Sequence, residues 1–373
     1  MARAPALQEF EALPEADRLE SFRHPRETAR LYGHEAAEQA LSQAFAAERM
    51  HHAWLLAGRL GIGKATLAYR LARHVLARPD ERDPSGHSLD VPADSVAVRQ
   101  IEALSHPGLL VLRRPYDTKA KRFAGSIPVD EVRKLRSFLG LTAGGGGWRV
   151  VIVDSADELN PNAANALLKS LEEPPRRALF MLISSEPGRL LPTIRSRCRR
   201  LDLLPLPGEP LRQAVQAALA AADIDPPQAG QWEQLQQLAE GSVRRALQLA
   251  AGGGLELHAQ VDRLFSQLPK IDWPAVHALA DGLGLSAQEQ RYQAFFAFLL
   301  DKVARLARAR ATGEGNPNDV ALATRLIGDG RLPEWACLWE VMLRDKATVE
   351  ELNLDRRALI PRTLARLEAA AKG

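Results

Sequence analysis

Up to residue 206 the chain alternates between short runs that are apolar at every position and longer segments whose apolar residues recur three or four apart. "AWLLA" (53–57), "LLVLRR" (109–114), "WRVVIVD" (148–154), "ALFMLIS" (178–184) and "RRLDLLPL" (199–206) read as strands. Helical spacing fills the gaps: "HEAAEQALSQAFAAERM" (34–50), a helix opened by Gly63, "VDEVRKLRSFLGL" (129–141) and "NAANALLKSLEE" (162–173), the last stopped by Pro174 and Pro175. "RPDERDPSGHSLDVPADS" (78–95) reads as a loop and "GGGG" (144–147) as a turn. Strands apolar on both faces and separated by helices predict a parallel sheet covered by helices. Beyond Pro207 the strand signals stop. Residues 208–251 predict about three short helices, "AGGG" (251–254) a linker, and 255–373 a region helical throughout, with "YQAFFAFLLDKVARLARARA" (292–311) its longest amphipathic run. The expected division is a polar N-terminal extension (1–30), an α/β domain (31–206), a small helical lid (207–252) and an all-α C-terminal domain (255–373).

Composition narrows this only slightly. A chain of 373 residues, 46% hydrophobic and 25% charged, is ordinary for a globular protein of roughly two or three domains. A net charge of +3 gives no global case for nucleic acid, so any such surface is local. Two cysteines, Cys198 and Cys337, supply neither a disulfide framework nor a complete zinc site, and fit a reducing cytoplasmic setting. The N-terminus lacks the apolar core of a secretory signal, and no run approaches the roughly 20 apolar residues of a membrane span.

The stretch "LLAGRLGIGKATLAYRLARHVLA" (55–77) carries the chemistry. Gly58, Gly63 and Lys64 match the phosphate-binding pattern G-x-x-x-x-G-K-[ST], with Gly61 inside the loop. Glycines let backbone N–H groups curl around phosphate oxygens, the helix N-terminus adds partial positive charge, and the lysine reaches the outer phosphates. The hydroxyl that should follow the lysine and hold magnesium is replaced by Ala65; Thr66 comes one residue later, roughly 100° around the helix. Asp154, closing an apolar strand in "RVVIVDSADELN", fits the companion aspartate, but the next position, where a water-orienting acid is needed, is Ser155. Asp157 and Glu158 fall on the following turn. Both losses predict an ATP site of weak or vestigial affinity with little hydrolysis; loss of a general base costs about 10²–10⁴-fold.

Further on, "LLPTIRSRCRR" (190–200) gathers Arg195, Arg197, Arg199 and Arg200 after a strand–turn–helix element. An arginine at such an edge can reach a neighbouring subunit's γ-phosphate. "RRPYDTKAKR" (113–122) is basic with one tyrosine, and reads as a solvated loop rather than a direct DNA contact. His74, His87 and His106 read as loop and strand-edge residues, with no zinc expected. Cys198 reads as a small packed residue and Cys337 as part of an apolar helix face.

"ANALLKSLEEPP" followed by "LISSEPGRLLPTIRSRC", together with "LYGHEAAEQAL" and "HHAWLLAGRLGIGKATLA", resembles the clamp-loader branch of the AAA+ ATPases, specifically bacterial DNA polymerase III clamp-loader subunits. The resemblance is strong over 31–205, fair over 206–250, and one of type alone beyond. It implies a RecA-like P-loop domain, a helical lid and a helical collar that oligomerises. Ala65 and Ser155 align with that family's catalytically silent stator rather than its motors. By the same resemblance Arg197 would be a finger offered in trans, Ser185 a sensor after the strand at 178–184, and Arg244 in "GSVRRALQLA" the second sensor. Implied partners are the tau/gamma motor subunits and the delta subunit, and through the assembly the sliding clamp and primed DNA. The chain would work within the DNA polymerase III holoenzyme without polymerase activity of its own. Two alternatives remain open: an ATP-hydrolysing motor subunit of the tau/gamma type, and a stand-alone P-loop kinase.

Overall fold

In the computed structural model of the chain, residues 13–19, 21–83, 85–119, 122–140, 147–285, 288–352 and 354–372 are described. The first part runs α1 (Glu35–Ala46), β1 (Ala53–Ala57), α2 (Lys64–Leu76), α3 (Val96–Glu102), β2 (Leu109–Leu112), β3 (Tyr116–Asp117), β4 (Arg122–Phe123), α4 (Val129–Gly140) and β5 (Arg149–Asp154). It continues with α5 (Pro161–Glu172), β6 (Ala178–Ser184), α6 (Pro192–Arg195), β7 (Arg199–Asp202) and α7 (Gly208–Ala221). The rest is helical: α8 (Gln231–Ala239), α9 (Val243–Ala250), α10 (Gly254–Gln267), α11 (Trp273–Leu283), α12 (Glu289–Thr312), α13 (Pro317–Leu326), α14 (Leu332–Glu351) and α15 (Arg356–Lys372). The chain divides into two compact units, one of residues 1–226 with 236–244, the other of 227–235 with 245–373. No helix of the described residues is long and apolar enough to cross a membrane.

In the first unit five parallel strands form one sheet in the order β2-β5-β6-β1-β7. The wholly apolar runs of β1 and β6 lie side by side and every residue of both is buried, as two-sided coverage requires. One face packs Leu55, Val151, Val153, Phe180 and Leu182 against Leu167 and Leu171 of α5 and Val132 and Leu135 of α4. Local chemistry sets the helix ends. Asn160 accepts from Ala163 N at 2.8 Å and Pro161 opens α5, while Ser95 caps α3 through Ala97 N. β7 ends at Asp202 rather than 206. Leu203 N still donates to Ala57 O, but Pro205 has no N–H and Leu206 N turns to Gly241 O, which draws the chain off the sheet. Across the β1–β7 ladder Arg199 pairs with Trp54 and stacks 4.9 Å over its ring. Of the predicted GGGG turn, residues 144–146 lie outside the described residues.

The second unit is built around α12, whose buried face (Tyr292, Phe295, Phe296, Leu299, Val303, Leu306) repeats every three or four residues. Lys302 sits on that face between Asp262 of α10 and Asp319 of α13, 2.7 Å from a carboxylate oxygen of each. Gly313, at φ 72°, ends α12 in the left-handed conformation that favours glycine. Cys337 is exposed rather than on the apolar face of α14, whose buried residues include Trp335 and Met342.

The N-terminal thirty residues are the largest departure from the sequence reading. Among those described, Phe22, His24 and Arg26 are buried. Arg73 of α2 donates to the carbonyls of Arg26 and Thr28, Arg70 to that of Ala29, and Arg26 Nε to Glu102 O at 2.8 Å. Backbone carbonyls held by helix arginines, together with the buried Phe22 ring, seat this segment.

Candidate functional site

The loop between β1 and α2 is shaped by its glycines. Gly58, Gly61 and Gly63 have φ of 146°, 77° and 108°. A Cβ on Gly58 would lie 2.4 Å from Leu203 O, and one on Gly61 would lie 2.4 Å from Cβ of Arg244. Around the loop, Arg244 N donates to Gly61 O at 3.2 Å, Ser242 Oγ to Leu60 O at 2.9 Å, and the ring Nε2 of His34 lies 2.7 Å from Ile62 O. Burial holds the His34 ring below its usual pKa, which favours the neutral form.

Lys64 opens α2 and is 4% exposed. Its three ammonium protons meet Gly58 O at 2.6 Å, Arg59 O at 2.6 Å and Ser185 Oγ at 3.1 Å. All three are neutral acceptors. Burial lowers its pKa to about 8 against the opposing pull of Asp154 and Asp157. Asp154, at the end of β5, is buried; loss of solvent, helped by the charge of Asp17, raises its carboxyl to about 7, and Lys64 opposes the rise. Ser155 Oγ is 3.4 Å from Asp154 Oδ1. Neither later acid stands free to replace the missing one. Asp157 accepts from Ser185 N at 3.1 Å, and Glu158 Oε2 lies 2.7 Å from Arg114 Nε. Ala65 and Thr66 follow on the first turn of α2.

The fold thus brings Gly58, Gly61, Gly63, Lys64, Asp154, Ser185 and Arg244 into one cluster. Arg197 belongs to a different one. It follows α6, donates to Thr193 O at 2.9 Å, and its other terminal nitrogen lies 2.8 Å from Glu172, the last residue of α5. The neighbouring Cys198 thiol is pushed up to about 12 by burial, so it is neither nucleophile nor ready ligand. His74 is buried on α2 with its pKa lowered to about 4 by burial, and His106 Nδ1 accepts from Gly108 N. His87 lies in a turn closed by Asp83.

Four contributors escaped the sequence reading. Arg113 and Arg114 of the basic stretch are ion-paired and partly buried rather than solvated. Asp17 accepts at its carbonyl from Arg244 Nη1 at 3.2 Å, and its carboxylate takes Arg113 Nη1 at 2.9 and 3.3 Å, with His24 Nε2 2.8 Å away. Burial pushes the Asp17 carboxyl upward, but His24 and Arg113 overcome it and hold it at about 2. Glu15 accepts from Arg113 Nη2 at 2.6 Å and from Arg26 Nη1 at 2.7 Å. Acidic residues ahead of a buried aromatic in "LPEADRLESF" were the available signal, though nothing in the pattern names their partners.

The profile of the family described as "DNA polymerase III, delta subunit" matches residues 33–207. DNA polymerase III subunit delta' of Escherichia coli K12 is 30% identical over 341 residues, 88% of this chain and 92% of that protein. The subunit delta' of Pseudomonas aeruginosa is 40% identical over 226 residues, covering 60% of this chain and 63% of that one. DNA polymerase III subunit tau of E. coli is 30% identical over 226 residues, 60% of this chain but 32% of tau.

Proposed function

The chain belongs to the family of DNA polymerase III delta' subunits, and from that premise we propose that it is the catalytically silent stator of a replicative clamp loader, working in the cytoplasm. In this reading ATP bound by neighbouring tau/gamma motor subunits drives opening of the sliding clamp and its placement on primed DNA. This chain supplies a rigid face, sits beside the delta subunit, and offers Arg197 to a neighbour's γ-phosphate. Residues 207–252 serve as lid and 255–373 as the collar that joins the ring. One observation carries the reading: a phosphate cradle complete in backbone and lysine has Ala65 and Ser155 where metal ligand and water-orienting acid are needed. A site that cannot cut ATP has no use for an arginine on a separate edge, whereas a neighbour's site has.

Should ATP enter, the residues that suit it are the N–H groups of 58–64, Lys64 for the outer phosphates, and Ser185 and Arg244 at the rim; Asp154 lacks the hydroxyl partner that would help it fix magnesium. The likeness to tau spans 60% of the chain, so it leaves the motor reading to be decided on Ala65 and Ser155, which oppose it. The finger is tested by Arg197→Ala in the assembled complex. ATP hydrolysis at the site it faces falls by roughly 10³-fold, lowering the DNA-stimulated rate by that site's share, while the chain's own melting is unchanged. An undiminished rate removes the finger role; magnesium-dependent turnover by the isolated chain removes the silent one.

A further inference from the structure

The N-terminal segment does more than pack on the sheet. Residues 13–19 stand beside the phosphate cradle, where they engage two arginines, Arg113 and Arg244. Arg113 is taken by both carboxylate oxygens of Asp17 and by Glu15. Arg244 donates to the Asp17 carbonyl. Lys64 has turned its protons onto its own loop and Ser185. Asp17 is close enough to Asp154 for its charge to disfavour ionisation there, and Lys64 close enough to favour it. All these residues lie in one compact unit. The segment therefore brings the negative charge of Asp17 close enough to act on Asp154 while its backbone holds Arg244, and a triphosphate entering the cradle would meet that like charge.

We propose that residues 13–19 are an intramolecular occupant of the phosphate site, competing with a nucleotide's phosphates for Arg113 and Arg244. Arg113 becomes a phosphate-binding residue when the segment lifts, a role that no phosphate-loop pattern assigns to it. The segment is suited to leaving: Glu15 and Asp17 hold it by charge, and Leu13 is exposed. Its anchor further along, at Phe22, His24 and Arg26, is buried and would stay. Because nucleotide and segment exclude each other, nucleotide affinity is reduced by the fraction of molecules in which the site is covered, and bound nucleotide must in turn displace the segment. This inference involves only the isolated chain and needs neither Arg197 nor any partner.

The test is binding of a fluorescent ATP analogue to the isolated full-length chain, to a chain lacking residues 1–19, and to full-length Asp17→Asn, each checked for unchanged melting. Deletion is expected to tighten binding about tenfold or more, with Asp17→Asn, which keeps the carbonyl bond to Arg244, falling between. Hydrogen exchange at 13–19 is expected to accelerate when ATP saturates the full-length chain. Equal affinity in all three proteins, or no binding by any of them, overturns the proposal. If the shortened chain does not fold, Asp17→Asn and exchange decide: unchanged affinity together with unchanged protection at saturating ATP overturns it.

Discussion

Lys64 and Lys302 are both almost wholly buried on a helix, and they are satisfied in opposite ways. Lys302 stands between two carboxylates, Asp262 and Asp319, and Asp319 is itself buried. Lys64 is surrounded by carbonyl and hydroxyl oxygens, with no carboxylate of the described residues at hydrogen-bond distance from it. A buried ammonium with a fixed counter-charge is finished; it holds helices α10, α12 and α13 in register and has nothing left to offer. A buried ammonium held by dipoles alone still carries an unanswered charge, which is why desolvation lowers the pKa of Lys64 to about 8. The first arrangement is a structural joint; the second, on the function proposed above, is a place prepared for an anion.

That contrast can be broken by substitution. Among the described residues, Lys302→Met leaves the buried Asp319 only Arg305 at 3.5 Å and Asp262 only His258, and the loss of one partner from a buried pair costs about 3–5 kcal/mol; chemical denaturation of the whole chain should show it, and a loss below about 1 kcal/mol would make the network ornamental. Lys64→Met is expected to act through pH. The folded-state pKa of Lys64 lies below the 10.5 of an exposed lysine, so between about 8 and 10.5 the unfolded chain binds the proton and the folded chain does not. Stability of the native protein therefore rises with pH across that window, by up to ~3 kcal/mol, relative to a variant without the lysine. Parallel pH curves for the two proteins would show that the lysine is not strained by its burial. Glu172→Gln sets the floor. The Arg197–Glu172 pair is partly exposed, and such pairs are worth about 0–1 kcal/mol. Melting should scarcely move, and a large loss would mean that Arg197 is a structural residue rather than one able to swing to a partner.

The legible parts of this molecule were those governed by short-range periodicity. The boundaries of β1 and β6 agree with the apolar runs to the residue, and β5, α4 and α5 to within one. The loop glycines, Lys64 and Asp154 were readable because each sits at a forced place along a strand–loop–helix passage. What escaped is held by arginines across long separations: Arg113 meets the Asp17 carboxylate, Arg244 the Asp17 carbonyl, and Arg26 the Glu102 carbonyl. A polar residue that is buried and ion-paired looks, in a sequence, like one that is solvated. "RRPYDTKAKR" was misread for that reason, and so was the segment that pairs with its first arginine. The end of β7 depended on Leu206 finding Gly241, a contact no local pattern contains.

The stacking of Arg199 on Trp54 carries one last implication. Trp54 belongs to the strand that feeds the phosphate loop, and Arg199 lies two residues beyond Arg197. A slip of β7 by one position would shift it by about 3.3 Å and turn its side chains over, and the ring clamps the ladder against that slip. The reach of the guanidinium at 197 is thus gauged from the same bolt that fixes the loop, as a ruler is read from its zero mark.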